Sequence, residues 1–279
     1  MIASFRSEWL RLTRRPAFWV LAAVLLGILL TLSYALVWII FTFPPRGIVT
    51  PGTTPQELKK VLYPADWLHT VLGDTSGLGA SVALILGVLM AGSEYTWGTV
   101  KTMVTQRPGR LQALFGKALA MEAAIAILTV ALLAAGAAAS AVLVTIDRQA
   151  SAWPDALAVL RALGVAWLVL SLYAALGFTL AVLFRQAALA IGLGLVYTFV
   201  IESLVLNLLG GADAFRSIVS AFPGSNAGSL VASFPSATVR PAAVARASVG
   251  ALQATVVLAA YIAAFGVIAG VVFRTRDIS

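Results

Sequence analysis

Six long apolar runs, about 17–43, 75–93, 118–146, 162–184, 187–209 and 248–273, leave this chain few ways to fold. Only Glu122 and Glu202 are charged within them. Each run meets the roughly 20 residues that an α-helix needs to cross a bilayer. In hydrocarbon every backbone N–H and C=O must be paired inside the chain, and a helix pairs them segment by segment. The expected fold is therefore an all-α integral membrane protein with six transmembrane helices, a single domain over residues 1–279. The composition agrees. Charged residues make up 11% of the chain and the mean hydropathy is +0.97, whereas soluble domains are about 25% charged.

The same residues exclude several classes of chemistry. There is no cysteine, so disulfides, thiolate metal sites and cysteine nucleophiles are ruled out. One histidine, His69, cannot build a multi-histidine site, and no metal is expected. Asp66, His69 and Asp74 precede the second run and read as a solvated loop. The net charge of +8 does not imply nucleic acid, because the basic residues sit at the ends of the apolar runs. Arg14 and Arg15 precede an apolar run far longer than a signal peptide's, which reads as a retained span.

Basic residues also set the expected orientation. With the N-terminus inside, segments 1–16, 94–117, 185–186 and 274–279 are cytoplasmic and hold 11 basic residues in 48 positions. The opposite segments, 44–73, 147–161 and 210–247, hold 8 in 83. Both termini are then cytoplasmic, in a multi-pass protein of the cell (inner or plasma) membrane. Only Arg185 and Gln186 separate the fourth and fifth runs, so a tight hairpin is expected there.

Before the first run, Ile2, Phe5, Trp9 and Leu12 recur at helical spacing, while Arg6, Glu8, Arg11 and Arg14 fall on other faces. This pattern predicts an amphipathic helix over 1–16 lying in the membrane interface. Segment 210–247 carries Pro223, Gly224, Pro235 and Pro241 between apolar patches too short to span. Short re-entrant helices and an ordinary loop fit it equally well. Gly266 and Gly270 form a GxxxG pair that suits close helix packing. Trp38, Trp67, Trp153 and Trp167 fall near the expected interfaces, where an aromatic belt accounts for most of them without a ligand.

The most informative stretch links the second and third runs. It reads Gly92-Ser93-Glu94-Tyr95-Thr96-Trp97-Gly98-Thr99-Val100-Lys101, then Arg107-Pro108-Gly109-Arg110 and Gly116-Lys117. Glu94 ends a span, Gly98 loosens the chain, and Thr99 can cap a short helix reaching Gln106. Pro108 and Gly109 then turn the chain back. With its six spans and entry helix, the chain resembles ABC-2 type transporter permeases, through Glu94, Gly98, Thr99, Pro108, Arg110, Gly116 and Lys117. The turn departs from the family pattern in reading Arg-Pro-Gly-Arg. The resemblance implies that Glu94–Gln106 is a coupling helix seated in a cytoplasmic ATPase. Its interface would include Glu94, Tyr95, Thr96, Trp97, Gly98, Thr99, Val100, Lys101, Arg107, Pro108 and Arg110.

No nucleotide site is expected in this chain. The nearest decoy, Gly109 to Lys117, has six residues between its glycines instead of four and is followed by Ala118. The expectation is a permease subunit, not itself an enzyme, that exports a lipid-like or amphipathic substrate. ATP and Mg²⁺ would be bound by two separate ABC ATPase subunits, and a second membrane subunit, identical or paralogous, would complete the path. Glu122 reads as structural, paired with a basic neighbour. Glu202 reads equally as lining a cavity or as an inter-helix hydrogen bond. The rivals are an ion-coupled secondary transporter using Glu122 and Glu202, an intramembrane enzyme, and a non-transporting scaffold subunit.

Overall fold

Helices supply all the regular structure among the described residues of a computed structural model, namely 2–44, 58–96, 110–149, 152–205, 215–234 and 249–275. Helix α1 is Ile2–Arg14. Pro16, at a first helical position where its missing N–H costs nothing, opens α2, Pro16–Thr42. Helix α3 starts at Trp67 and continues to Thr96 through a π turn at Thr75–Gly79. Helix α4 is Arg110–Ile146 and α5 is Ala156–Phe184. Helix α6 is Ala187–Val205, the short helices α7 and α8 are Arg216–Ala221 and Pro223–Ala232, and α9 is Ala251–Thr275. Helices α2 to α6 and α9 are the six long and apolar enough to cross a membrane.

The α3 span begins at Trp67, earlier than its most apolar residues indicate, so Asp66, His69 and Asp74 belong to a helix and its cap. Asp66 is almost fully buried. They do not form the solvated loop that the polar residues suggested.

Helices α3 and α5 form the centre. In α3 and α5, 72% and 67% of the most apolar stretch is buried, against 22% in α2, 17% in α6 and 11% in α9. A seam of small residues brings the two central helices together. A Cβ at Gly87 would strike the Ala174 carbonyl, and one at Gly177 would strike the Leu84 carbonyl. Gly79 faces Leu170 and Gly92 faces Ala181, so the contacts advance in the same direction along both helices. Two parallel spans, second and fourth in the chain, thus touch backbone to backbone where no hydrophobic effect drives helices together.

The ends of α5 follow from local chemistry. Asp155 caps its first turn, accepting from the Ala158 N–H at 2.8 Å. At the other end Arg185 adopts φ 55° and donates its N–H to Ala181 O at 2.9 Å. This left-handed residue closes the hairpin to α6.

Helix α1 packs along the first part of α4. Its buried face is Ser4, Glu8 and Leu12, while Phe5 and Trp9 are half-buried and stack on each other at 6.2 Å. Glu8 was expected on the polar face, but it points into the bundle. A charge on the inner face is tolerated because a cation on α4 meets it.

Candidate functional site

Four polar arrangements stand out. The first is at the α1–α4 contact. Lys117 Nζ donates to Glu8 Oε2 at 3.4 Å, and Arg11 reaches Glu8 Oε1 at 3.3 Å. Both side chains of the Glu8–Lys117 pair are nearly buried. A Cβ at Gly116 would lie 2.8 Å from Ser4 Cβ, so only glycine lets α1 approach this closely. The N-terminal helix is therefore fixed to the base of α4, directly after the 94–117 connection.

The second is a groove between α4, α5 and α9, a cavity of about 520 Å³. Leu114, Phe178, Ile262 and Val271 make its walls apolar, with Glu122 toward one end and Arg274 at the other. Along α9 it runs from Ile262 to Arg274, about 18 Å at 1.5 Å per residue. Glu122 accepts from the Ser171 hydroxyl at 2.6 Å. Its partner is thus a neutral group on α5 and not the expected basic neighbour, since Lys117 is engaged by Glu8. Gly266 and Gly270 line this groove and have open space where a Cβ would stand, so no described residue packs against them.

The third is Glu202, in a π-helical turn of α6 at Tyr197–Glu202. It is buried and lines none of the cavities described here. The Tyr173 hydroxyl donates to its Oε2 at 2.7 Å, and the Gly224 N–H at the start of α8 donates to its Oε1 at 3.0 Å. Tyr197 adds a further hydrogen bond. A carboxylate at a helix N-terminus also opposes the positive end of the helix dipole. Of the two roles open to Glu202, the geometry is that of an inter-helix hydrogen bond, tying α8 to α5 and α6. Segment 210–247 contributes α7 and α8, and α8 packs on α9 with most of its residues buried.

The fourth, at the end of the bundle opposite α1, centres on Asp147. It accepts from Lys59 at 3.0 Å, from Tyr63 at 2.9 Å and from Trp38 Nε1 at 3.2 Å. Lys59 also lies 5.2 Å from the Trp38 ring centroid. Burial pushes the Asp147 carboxyl up, but the hydrogen bonds from Lys59, Tyr63 and Trp38 outweigh it and hold the group below its ordinary value. Burial, reinforced by the same carboxylate, pushes the Tyr63 phenol up to about 12. Sequence reading missed this cluster because its members are 109 and 88 residues apart and carry no motif. Trp38 is anchored here, and Trp67 is buried edge-on against Trp153 at 6.4 Å, so neither is a simple belt residue.

The expected coupling residues are only partly described. Glu94, Tyr95 and Thr96 end α3 and Arg110 begins α4. Trp97, Gly98, Thr99, Val100, Lys101, Arg107 and Pro108 lie outside the described residues. Among the described residues no group of three or more His, Cys, Asp or Glu side chains could hold a metal.

The helices define an all-α, multi-pass membrane protein. The chain belongs to the family described as protein of unknown function (DUF2705), which matches residues 76–279, from the π turn of α3 onward. No curated protein matches it.

Proposed function

We propose that this chain is the membrane subunit of an ATP-driven exporter of the ABC-2 type, handling a lipid-like or amphipathic substrate. The observation that carries the reading is the junction of α1 with the base of α4. Ser4, Glu8 and Leu12 seat α1 against Gly116 and Lys117, so force applied to the 94–117 connection reaches α1 and α4 together. A permease moved by a separate motor needs such a stiff receiving unit. The groove supports the substrate class, being apolar along its length and charged at Arg274. On this reading α1 lies in the cytoplasmic interface with Phe5 and Trp9 toward lipid, both termini are cytoplasmic, and two ATPase subunits bind beneath two membrane subunits. ATP and Mg²⁺ belong to those ATPases.

The test is co-purification with an ATPase, followed by substrate-stimulated hydrolysis in lipid. Gly98→Val and Glu94→Ala are expected to leave span insertion intact while weakening ATPase binding or uncoupling hydrolysis from transport. A wild-type protein that retains no ATPase would end the exporter reading. Variants that bind, hydrolyse and transport like wild type would end the assignment of the coupling residues alone.

A further inference from the structure

We propose that the cavity between α2, α3 and α8 binds an organic cation with N–H donors, of the alkylammonium type, with Asp74 as its counter-charge. The inference does not depend on an ATPase partner.

The cavity measures about 500 Å³ and lies near the end of the bundle that carries Asp147. It forms where two helices leave regular α geometry. Helix α2 is π-helical over Leu29–Leu36, which includes Ser33, and α3 is π-helical over Thr75–Gly79, directly after Asp74. Such turns are rare and frequently mark functional sites, since the widened helix frees backbone groups. Here the Thr75 and Ser76 hydroxyls both bond Leu72 O, at 2.7 and 3.3 Å, which heals the break in α3. The polar side chains at this break are thus largely occupied with the backbone.

Asp74 is the exception. Ser33 hydrogen-bonds its carboxyl group, yet Oδ2 is buried and has no hydrogen-bond partner. A buried carboxylate oxygen without a donor is costly, and such groups are rare. Among the described residues no lysine or arginine lines this cavity. An ionisable group at membrane depth whose one partner is a neutral hydroxyl, with a carboxyl oxygen left over, is a functional-site hypothesis by default. The rest of the wall selects among cations. Leu32, Val37, Val61 and Val231 face the cavity, so most of it is hydrocarbon. A bare metal ion needs a shell of oxygens, whereas this lining brings one carboxylate and the hydroxyls of Ser33, Thr70 and Ser76, which already hydrogen-bond within the protein. An ammonium on a short hydrocarbon body fits both the carboxylate and the apolar wall, and the volume suits a small organic molecule. His69, also on the wall, offers a second acceptor when its imidazole is unprotonated.

The experiment uses the full chain in phosphatidylcholine nanodiscs, with equilibrium binding of radiolabelled n-octylammonium corrected against empty discs. Saturable binding is expected, with octyltrimethylammonium, which has no N–H, and neutral octanol competing weakly. Losing a charge-assisted hydrogen bond should make Asp74→Asn bind about tenfold or more weakly. Val37→Phe, which narrows the cavity and leaves the Asp74 carboxyl group in place, should also weaken binding and serves as the deciding variant if Asp74→Asn does not fold. No saturable binding above empty discs, octanol competing as well as octylammonium, or folded variants binding like wild type would overturn the proposal. Equal competition by octyltrimethylammonium would overturn the N–H requirement.

Discussion

Asp147 and Glu202 do opposite kinds of structural work. Asp147 is a charge held charged by its neighbours. Replacing it with Asn leaves Lys59, itself 9% exposed, without its counter-ion among the described residues. Breaking a part-buried pair of this kind costs on the order of 1–2 kcal/mol, between the exposed and the buried cases, so the thermal midpoint of Asp147→Asn in detergent should fall at pH 7. Because the folded carboxyl titrates below its ordinary value, its stabilisation is complete above the unfolded value and disappears as pH falls through the folded one. The wild-type advantage should therefore persist at pH 6 and vanish only below the usual carboxylate range, about 4. Glu202 is an acceptor that organises donors. Glu202→Ala would leave the Tyr173 hydroxyl and the Gly224 N–H unpaired, at about 1–3 kcal/mol each. Amide exchange of residues 224–232 should rise in that variant and stay near wild type in Glu202→Gln, whose amide oxygen still accepts. Unchanged exchange in the alanine variant would show that α8 is held by packing alone.

At the scale of elements, glycine position separates two kinds of surface. Gly177 lies in the α3–α5 seam, and any side chain there meets the Leu84 carbonyl, which is backbone and cannot step aside. Gly177→Val should abolish a folded, monodisperse protein or lower its midpoint by several degrees. Gly266→Val meets open space and should fold normally. Any defect it shows in assembly or transport would then report a second subunit or a substrate at the groove. The apolar runs made the six helices legible in the sequence, because length and hydropathy are local properties. The seam was not legible. Gly87 and Gly177 look no different from Gly266 and Gly270 until the helices that face them are known. The inner face of α1 was missed for a related reason, since Glu8 reads as solvated unless Lys117 is placed beside it. The π turns were also hidden, because no residue type announces them.

At the scale of the whole molecule, the bundle has two distinct ends. Lys117 with α1, and Arg274, lie at one end, and Asp147 with Lys59 lies at the other. If the first end is cytoplasmic, cysteines placed at Gln106 and Ser279 in this cysteine-free chain should resist an impermeant thiol reagent in intact cells. One placed at Ala152 should react. Labelling at Gln106 from outside would invert the orientation and remove the basis for an ATPase beneath that end. The Glu8–Lys117 pair also sets an order of events during synthesis. Its partners are 109 residues apart, so at about 5–20 residues per second the ribosome needs roughly 5–20 s to make Lys117 after Glu8. For that interval α1 has no α4 to lie against, and its carboxylate must stay in water or among lipid headgroups. A segment made well before its partner is thus among the later ones to dock, and a nascent chain stalled before the third span should still expose α1 to protease.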